Sequence, residues 1–161
     1  MEQIFTVLSG LAIAVAYVPF IKGTIRGSVI PNRASWIVWF IQDGLMAASA
    51  VMTGIGPAAV MPMIWGIGAG IMLFISLTRG TREPFTSLEK ICLVLSGLGI
   101  LLWAMTGSPH LALVASVSAA CIGGIPTITK AWTKPWTETP TGWVLMIIGT
   151  IFSSLAIQKW T

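Results

Sequence analysis

Between Ala34 and Thr78 the chain carries one charged side chain, Asp43, and between Ile91 and Thr129 it carries none. Apolar runs of this length constrain the fold more than any other feature of the sequence. A soluble domain interrupts such runs with surface charges, and about 25% of its residues are charged. Here 9% are charged and 55% apolar, with a mean hydropathy of +0.89. So few charges cannot coat a soluble globule of 161 residues, which argues against a soluble enzyme. The same balance excludes intrinsic disorder, and two cysteines exclude a disulfide scaffold. The class that fits is an all-α integral membrane protein.

A hydrocarbon core of about 30 Å takes about 20 helical residues. Six spans satisfy this. The first charge-free run is 3–21. It reads as a span and not a cleaved leader, because the N-terminus is acidic and no small-x-small exit precedes Lys22. The second run breaks at Gly54-Ile55-Gly56-Pro57 into spans 33–53 and 57–78. The third breaks at Gly107-Ser108-Pro109 into 89–106 and 110–129. The last is 139–158. Asn32 is placed to cap the second helix, Thr86 with Glu89 has the form of a capping box for the fourth, and Thr139-Pro140 opens the sixth. Continuous apolarity without period-two alternation argues against a β-barrel.

Lys22, Arg26 and Arg33 lie in the first loop, Arg79, Arg82 and Lys90 in the third, and Lys130 and Lys134 in the fifth. The other loops hold no Lys or Arg, and the termini contribute only Lys159. This asymmetry predicts loops one, three and five in the cytoplasm and both termini outside. Basic residues placed this way are topology determinants, not a nucleic-acid surface. Trp132, Trp136 and Trp160 near span edges fit interfacial anchors.

Two internal alignments compete. Val-Leu-Ser-Gly-Leu occurs at 7–11 and again at 94–98, which would pair helices one and four as inverted halves. A gapless shift of 107 residues instead pairs Pro19 with Pro126, Asn32 with Thr139 and Trp36 with Trp143. The second is preferred because several kinds of signal coincide. It divides one membrane domain into a first triple-helix unit (1–78), a linker helix (79–109) and a second, incomplete unit (110–161).

Ala16-Tyr17-Val18-Pro19-Phe20-Ile21, a basic loop, then Ser35-Trp36-Ile37-Val38-Trp39-Phe40 resembles the PQ-loop superfamily, which includes SWEET sugar transporters and lysosomal amino-acid exporters. The second copy, from Ile125-Pro126 to Lys134-Pro135, is similar to small bacterial members. The eponymous glutamine is absent from both copies, where Phe20 and Thr127 follow the prolines. The resemblance implies a carrier for a small polar solute, such as a sugar or amino acid, in a bacterial inner membrane. It implies that Pro19 and Pro126 act as hinges, and that an acid at the depth of Asp43 titrates in proton-coupled members. It also implies a seventh helix, so a helix from a second copy or another membrane subunit is expected in that place.

Asp43 is the only acid inside an apolar span. A carboxylate there costs on the order of 2.5–3.5 kcal/mol, so it should face the bundle interior and find a partner. A coupling role and a structural hydrogen bond between helices both fit. Trp39 shares its face, one turn earlier, while Gln42 points about 100° away. Trp65 and Trp143 could stack a solute or simply pack. Pro19 and Pro126 could be hinges or static kinks. His110, alone, makes no metal site, and neither a metal nor a cofactor is implied. Cys92, Cys121 and the glycines at 66, 68, 70, 97 and 99 read as small packing residues. No phosphate loop, triad or paired carboxylates point to an enzyme. Two functions therefore stand: a PQ-loop-like carrier, and a non-transporting accessory subunit of a larger membrane complex.

Overall fold

The structure, a computed structural model, describes residues 2–52, 60–79, 84–106 and 109–156. Most of these residues are helical, with no strand among them: α1 (Glu2–Arg26), α2 (Arg33–Met52), α3 (Val60–Arg79), α4 (Ser87–Thr106), α5 (Pro109–Thr133) and α6 (Pro140–Leu155), with a 3-10 turn at Pro135–Thr137. Gln3–Arg26 and Val60–Arg79 are long and apolar enough to cross a membrane, and α6 is apolar but shorter. The expected breaks at 54–57 and 107–108, Trp160 and the His110 side chain lie outside the described residues.

Local chemistry sets the helix ends. The Ser35 amide donates to Asn32 Oδ1 at 3.1 Å. The capping box closes in both directions, the Thr86 amide donating to Glu89 Oε2 at 2.7 Å and the Glu89 amide to Thr86 Oγ1 at 3.2 Å. The Gly142 amide donates to Thr139 Oγ1 at 3.4 Å. Asn32 Nδ2 also donates to Glu89 Oε1 at 2.7 Å, which ties the caps of α2 and α4 together. Helix α1 runs a turn past the expected end at Ile21. Charge alone does not stop a helix; Gly27, at φ +76°, does. Neither Pro19 nor Pro126 ends its helix.

Helix α3 packs between α1 and α2, whose backbones stay apart while Tyr17 and Phe20 of α1 meet the Trp36 ring of α2. Its glycines make this possible. Gly66 lies against the Asp43 backbone and Gly70 against the Phe40 ring, both on α2, while Gly68 faces Tyr17 on α1. Helix α1 also packs along α6, where Ile13 covers Gly149 and Ser9 Oγ donates to the Gly149 carbonyl at 2.7 Å. Helix α2 packs on α5 and α4, and α4 on α5. In the α4–α5 seam Ser96 Oγ donates to the Ala119 carbonyl at 3.1 Å. Ser9 and Ser96 are the serines of the two Val-Leu-Ser-Gly-Leu segments, so each segment is a helix-packing device. Among the described residues α5 and α6 do not pack on one another. Of the other small residues, Gly97 meets nothing within 4 Å, and Cys121 is exposed where packing was expected.

The 107-residue offset carries α1 onto α5 at both ends and the start of α2 onto the start of α6. It also exchanges the α1–α6 seam with the α2–α5 seam. Ile30 and Thr137 are repeat partners, and the Ile30 amide donates to the Thr137 carbonyl at 3.0 Å. Residues 107 apart thus meet where the loops 27–32 and 134–139 touch. The correspondence is partial: α3 packs on both α1 and α2, and among the described residues no helix packs on both α5 and α6.

The outer surface is apolar on every helix, with Val7, Leu11, Phe74, Val94, Leu101, Met105, Ile128 and Ile147 all exposed. The interior holds an apolar core around Ile13, Ala16, Phe20, Trp36 and Met72, with Ser9, Ser35, Gln42, Ser76 and Ser96 buried as well. An outer surface this apolar is unlike that of a water-soluble domain.

Candidate functional site

A cavity of about 660 Å³ lies among α1, α2, α3 and α6. Tyr17, Trp36, Trp39, Trp65 and Trp143 line it with rings, and Asp43 is the charged residue among its lining. Its lining includes three pairs of residues 107 apart: Trp36 with Trp143, Trp39 with Met146, and Asp43 with Thr150. In the third pair only Asp43 carries an acid.

The rings hold each other edge to face. Phe20 lies 5.9 Å from Trp36 and 5.0 Å from Trp143, both T-shaped. Trp39 lies 5.1 Å from Trp36 and 6.2 Å from Trp143. Tyr17 stands 6.3 Å from Trp65 and donates its hydroxyl to the Trp65 carbonyl at 3.2 Å. Trp39 Nε1 donates to the Ala120 carbonyl at 3.3 Å, and Trp143 Nε1 to Glu138 Oε2 at 3.0 Å. Glu138 also pairs with Lys130 at 2.6 Å, and Lys130 Nζ donates to the Ile30 carbonyl. Such contacts fix rotamers that burial alone would leave free.

Along α6 the lining runs from Trp143 to Leu155, and along α2 from Trp36 to Met46. The cavity thus extends away from the basic loops. At its other end the Phe20–Trp36–Trp143 cluster and the tied loops close it.

Asp43 faces this space as expected, but the interhelical partner expected for it is not there. Among the described residues no donor or cation reaches its carboxylate, and no Lys or Arg lines the cavity. Trp39, Trp65 and Trp143 line the cavity with it. Gln42 does not. It is buried on another face of α2, as its 100° offset implies. Pro19 and Pro126 do not line it either. Pro126 instead borders a second, more polar cavity among the basic loops, with Asn32, Arg33, Glu89 and Lys130. Sequence reasoning did not select Tyr17, Trp36, Met146 or Thr150 as site residues. The repeat offset held the signal for Thr150, since it pairs that residue with Asp43.

Among the described residues no group of three or more His, Cys, Asp or Glu is placed to hold a metal ion. Comparison with protein-family models, curated proteins and solved structures finds no match to this chain.

Proposed function

We propose that this protein is a membrane carrier of the PQ-loop/SWEET-like kind, with the aromatic cavity as its solute site and Asp43 as its coupling group. One observation carries the reading. A carboxylate that meets no donor or cation among the described residues lines an aromatic cavity together with side chains of both repeats. A purely structural acid would hold another helix; among the described residues this one holds none, which leaves it to take a solute or a proton. The apolar outer surface on all six helices supports six spans. The odd-numbered loops then lie in the cytoplasm, by their Lys and Arg. In this orientation the cavity faces outward, and Phe20, Trp36 and Trp143 form the cytoplasmic gate. Rocking of one repeat against the other about Pro19 and Pro126 would open it.

A second reading has its own observation. Among the described residues no counterpart of α3 lies between α5 and α6, and lipid fills an irregular groove less well than a helix does. A helix from a second copy or from another membrane subunit would complete the second unit, and in the second case the protein is an accessory subunit. Gentle purification with identification of every co-purifying chain separates the two. The carrier reading expects this chain alone or as a homo-oligomer, with saturable solute uptake after reconstitution. A stoichiometric foreign subunit, with no uptake by this chain alone, would favour the accessory role.

A further inference from the structure

We infer that the solute of this cavity is an organic cation, an amine or quaternary ammonium of a few carbon atoms, held by ring faces around the Asp43 carboxylate. The inference rests on the carrier reading and adds the chemical class of its solute.

The lining decides the class. Five of its polar side chains already spend their donors within the protein. Tyr17, Trp39 and Trp143 do so as described, Thr150 Oγ1 donates to the Met146 carbonyl at 2.9 Å, and Ser154 Oγ to the Thr150 carbonyl at 3.0 Å. A sugar is bound by many donors and acceptors at once, and a wall with most of its donors tied matches it poorly. What the wall offers is aromatic rings, the strongest cation-π partners among side chains: Trp39, Trp65 and Trp143 are part-exposed, while Tyr17 and Trp36 are buried behind them against neighbouring rings. It adds one carboxylate and no cationic side chain. A neutral solute would leave that carboxylate bare in an apolar site, and an anion would face like charge. A cation neutralises it and stacks on the rings at the same time. The volume of about 660 Å³ leaves room for a small organic ion.

Coupling follows from the same geometry. Asp43 can hold a proton or the cationic solute but not both, so the two exchange: the arriving cation releases the carboxyl proton to water. Among the described residues Tyr17, on α1, is the titratable group that faces Asp43, the cavity lining from α3 and α6 is Trp65, Trp143, Thr150, Ser154 and apolar side chains, and α4 and α5, which also pack on α2, contribute no lining residue.

The test uses the full-length protein in nanodiscs, with choline and its neutral isostere 3,3-dimethylbutan-1-ol as probes, followed by calorimetry and tryptophan fluorescence. Choline is expected to bind at least tenfold more tightly than the neutral isostere, and Asp43→Asn to weaken choline by about tenfold or more. Trp65→Leu should weaken choline binding while leaving the pH dependence intact. As a readout independent of folding, choline should slow alkylation of a cysteine placed by Thr150→Cys. If glucose or the isostere binds as tightly as choline and protects Thr150→Cys equally, the cation assignment falls and the carrier reading stands. If no probe binds and the cysteine of Thr150→Cys reacts from neither side or only one, the carrier reading falls and this inference with it.

Discussion

Gly68→Ala is expected to deform the cavity wall and destabilise the bundle together. A Cβ on residue 68 would lie 2.1 Å from Tyr17 Cε2 and 2.2 Å from Cζ. A ring at the end of a flexible side chain could swing aside cheaply. This one cannot, because Trp36 and Trp65 flank it and its hydroxyl is bound to the Trp65 carbonyl. Overpacking of this kind costs about 1–3 kcal/mol. The better helix propensity of alanine returns about 1 kcal/mol at most, so the clash wins. Gly97→Ala is the internal control. Nothing lies within 4 Å of that position, so the same substitution should be neutral or stabilise by up to about 1 kcal/mol. Thermal unfolding in detergent, with tryptophan emission as the probe, compares the two. Equal melting temperatures for Gly68→Ala and Gly97→Ala would show that Tyr17 is not packed as described.

Asp43→Asn should abolish proton-driven accumulation without harming the fold. A carboxylate with no partner contributes nothing to stability and costs on the order of 2.5–3.5 kcal/mol in an apolar span. Asp43→Asn and Asp43→Leu should therefore melt at the wild-type temperature or above it. Both lose the titrating group, so a pH gradient across a proteoliposome should no longer concentrate solute. The Asn variant, which keeps the shape of the site, should still exchange solute at saturating concentration. A structural acid gives the opposite result, with Asp43→Leu unfolding early because it orphans a donor on another helix. Early melting of Asp43→Leu together with full proton-driven accumulation by Asp43→Asn would remove Asp43 from the mechanism.

The helix starts were legible because capping is local. Asn32, Thr86 with Glu89, and Thr139 each need only the next three residues to act. Helix ends were less so. Charge was taken as the edge of the first span, while the stop is the left-handed backbone of Gly27. The repeat was legible through Pro19, Asn32 and Trp36 because each recurs in kind or in role at the same offset. The order of helices across the bundle was not. These helices are apolar on nearly every side, so their periodicity does not say which face meets which neighbour. That α3 enters between α1 and α2 rests on Gly66, Gly68 and Gly70, and glycines show only that something approaches closely. Asp43 and Trp39 were found because charge and helical spacing are sequence properties. Tyr17 was missed because its place depends on Gly68 and the Trp65 carbonyl, 48 residues away.

The most direct test of the carrier reading is the side from which the cavity floor can be reached. Cys92 and Cys121 are first replaced by alanine, and single cysteines are introduced by Ser28→Cys, Thr133→Cys and Thr150→Cys. Sealed vesicles of both orientations are then treated with a membrane-impermeant thiol reagent. Ser28→Cys and Thr133→Cys should react only from the cytoplasmic side, which marks the orientation. Thr150→Cys, across the cavity from Asp43, should react from either side, because an alternating carrier exposes its site to each in turn. Reaction of Thr150→Cys from one side only would contradict alternating access.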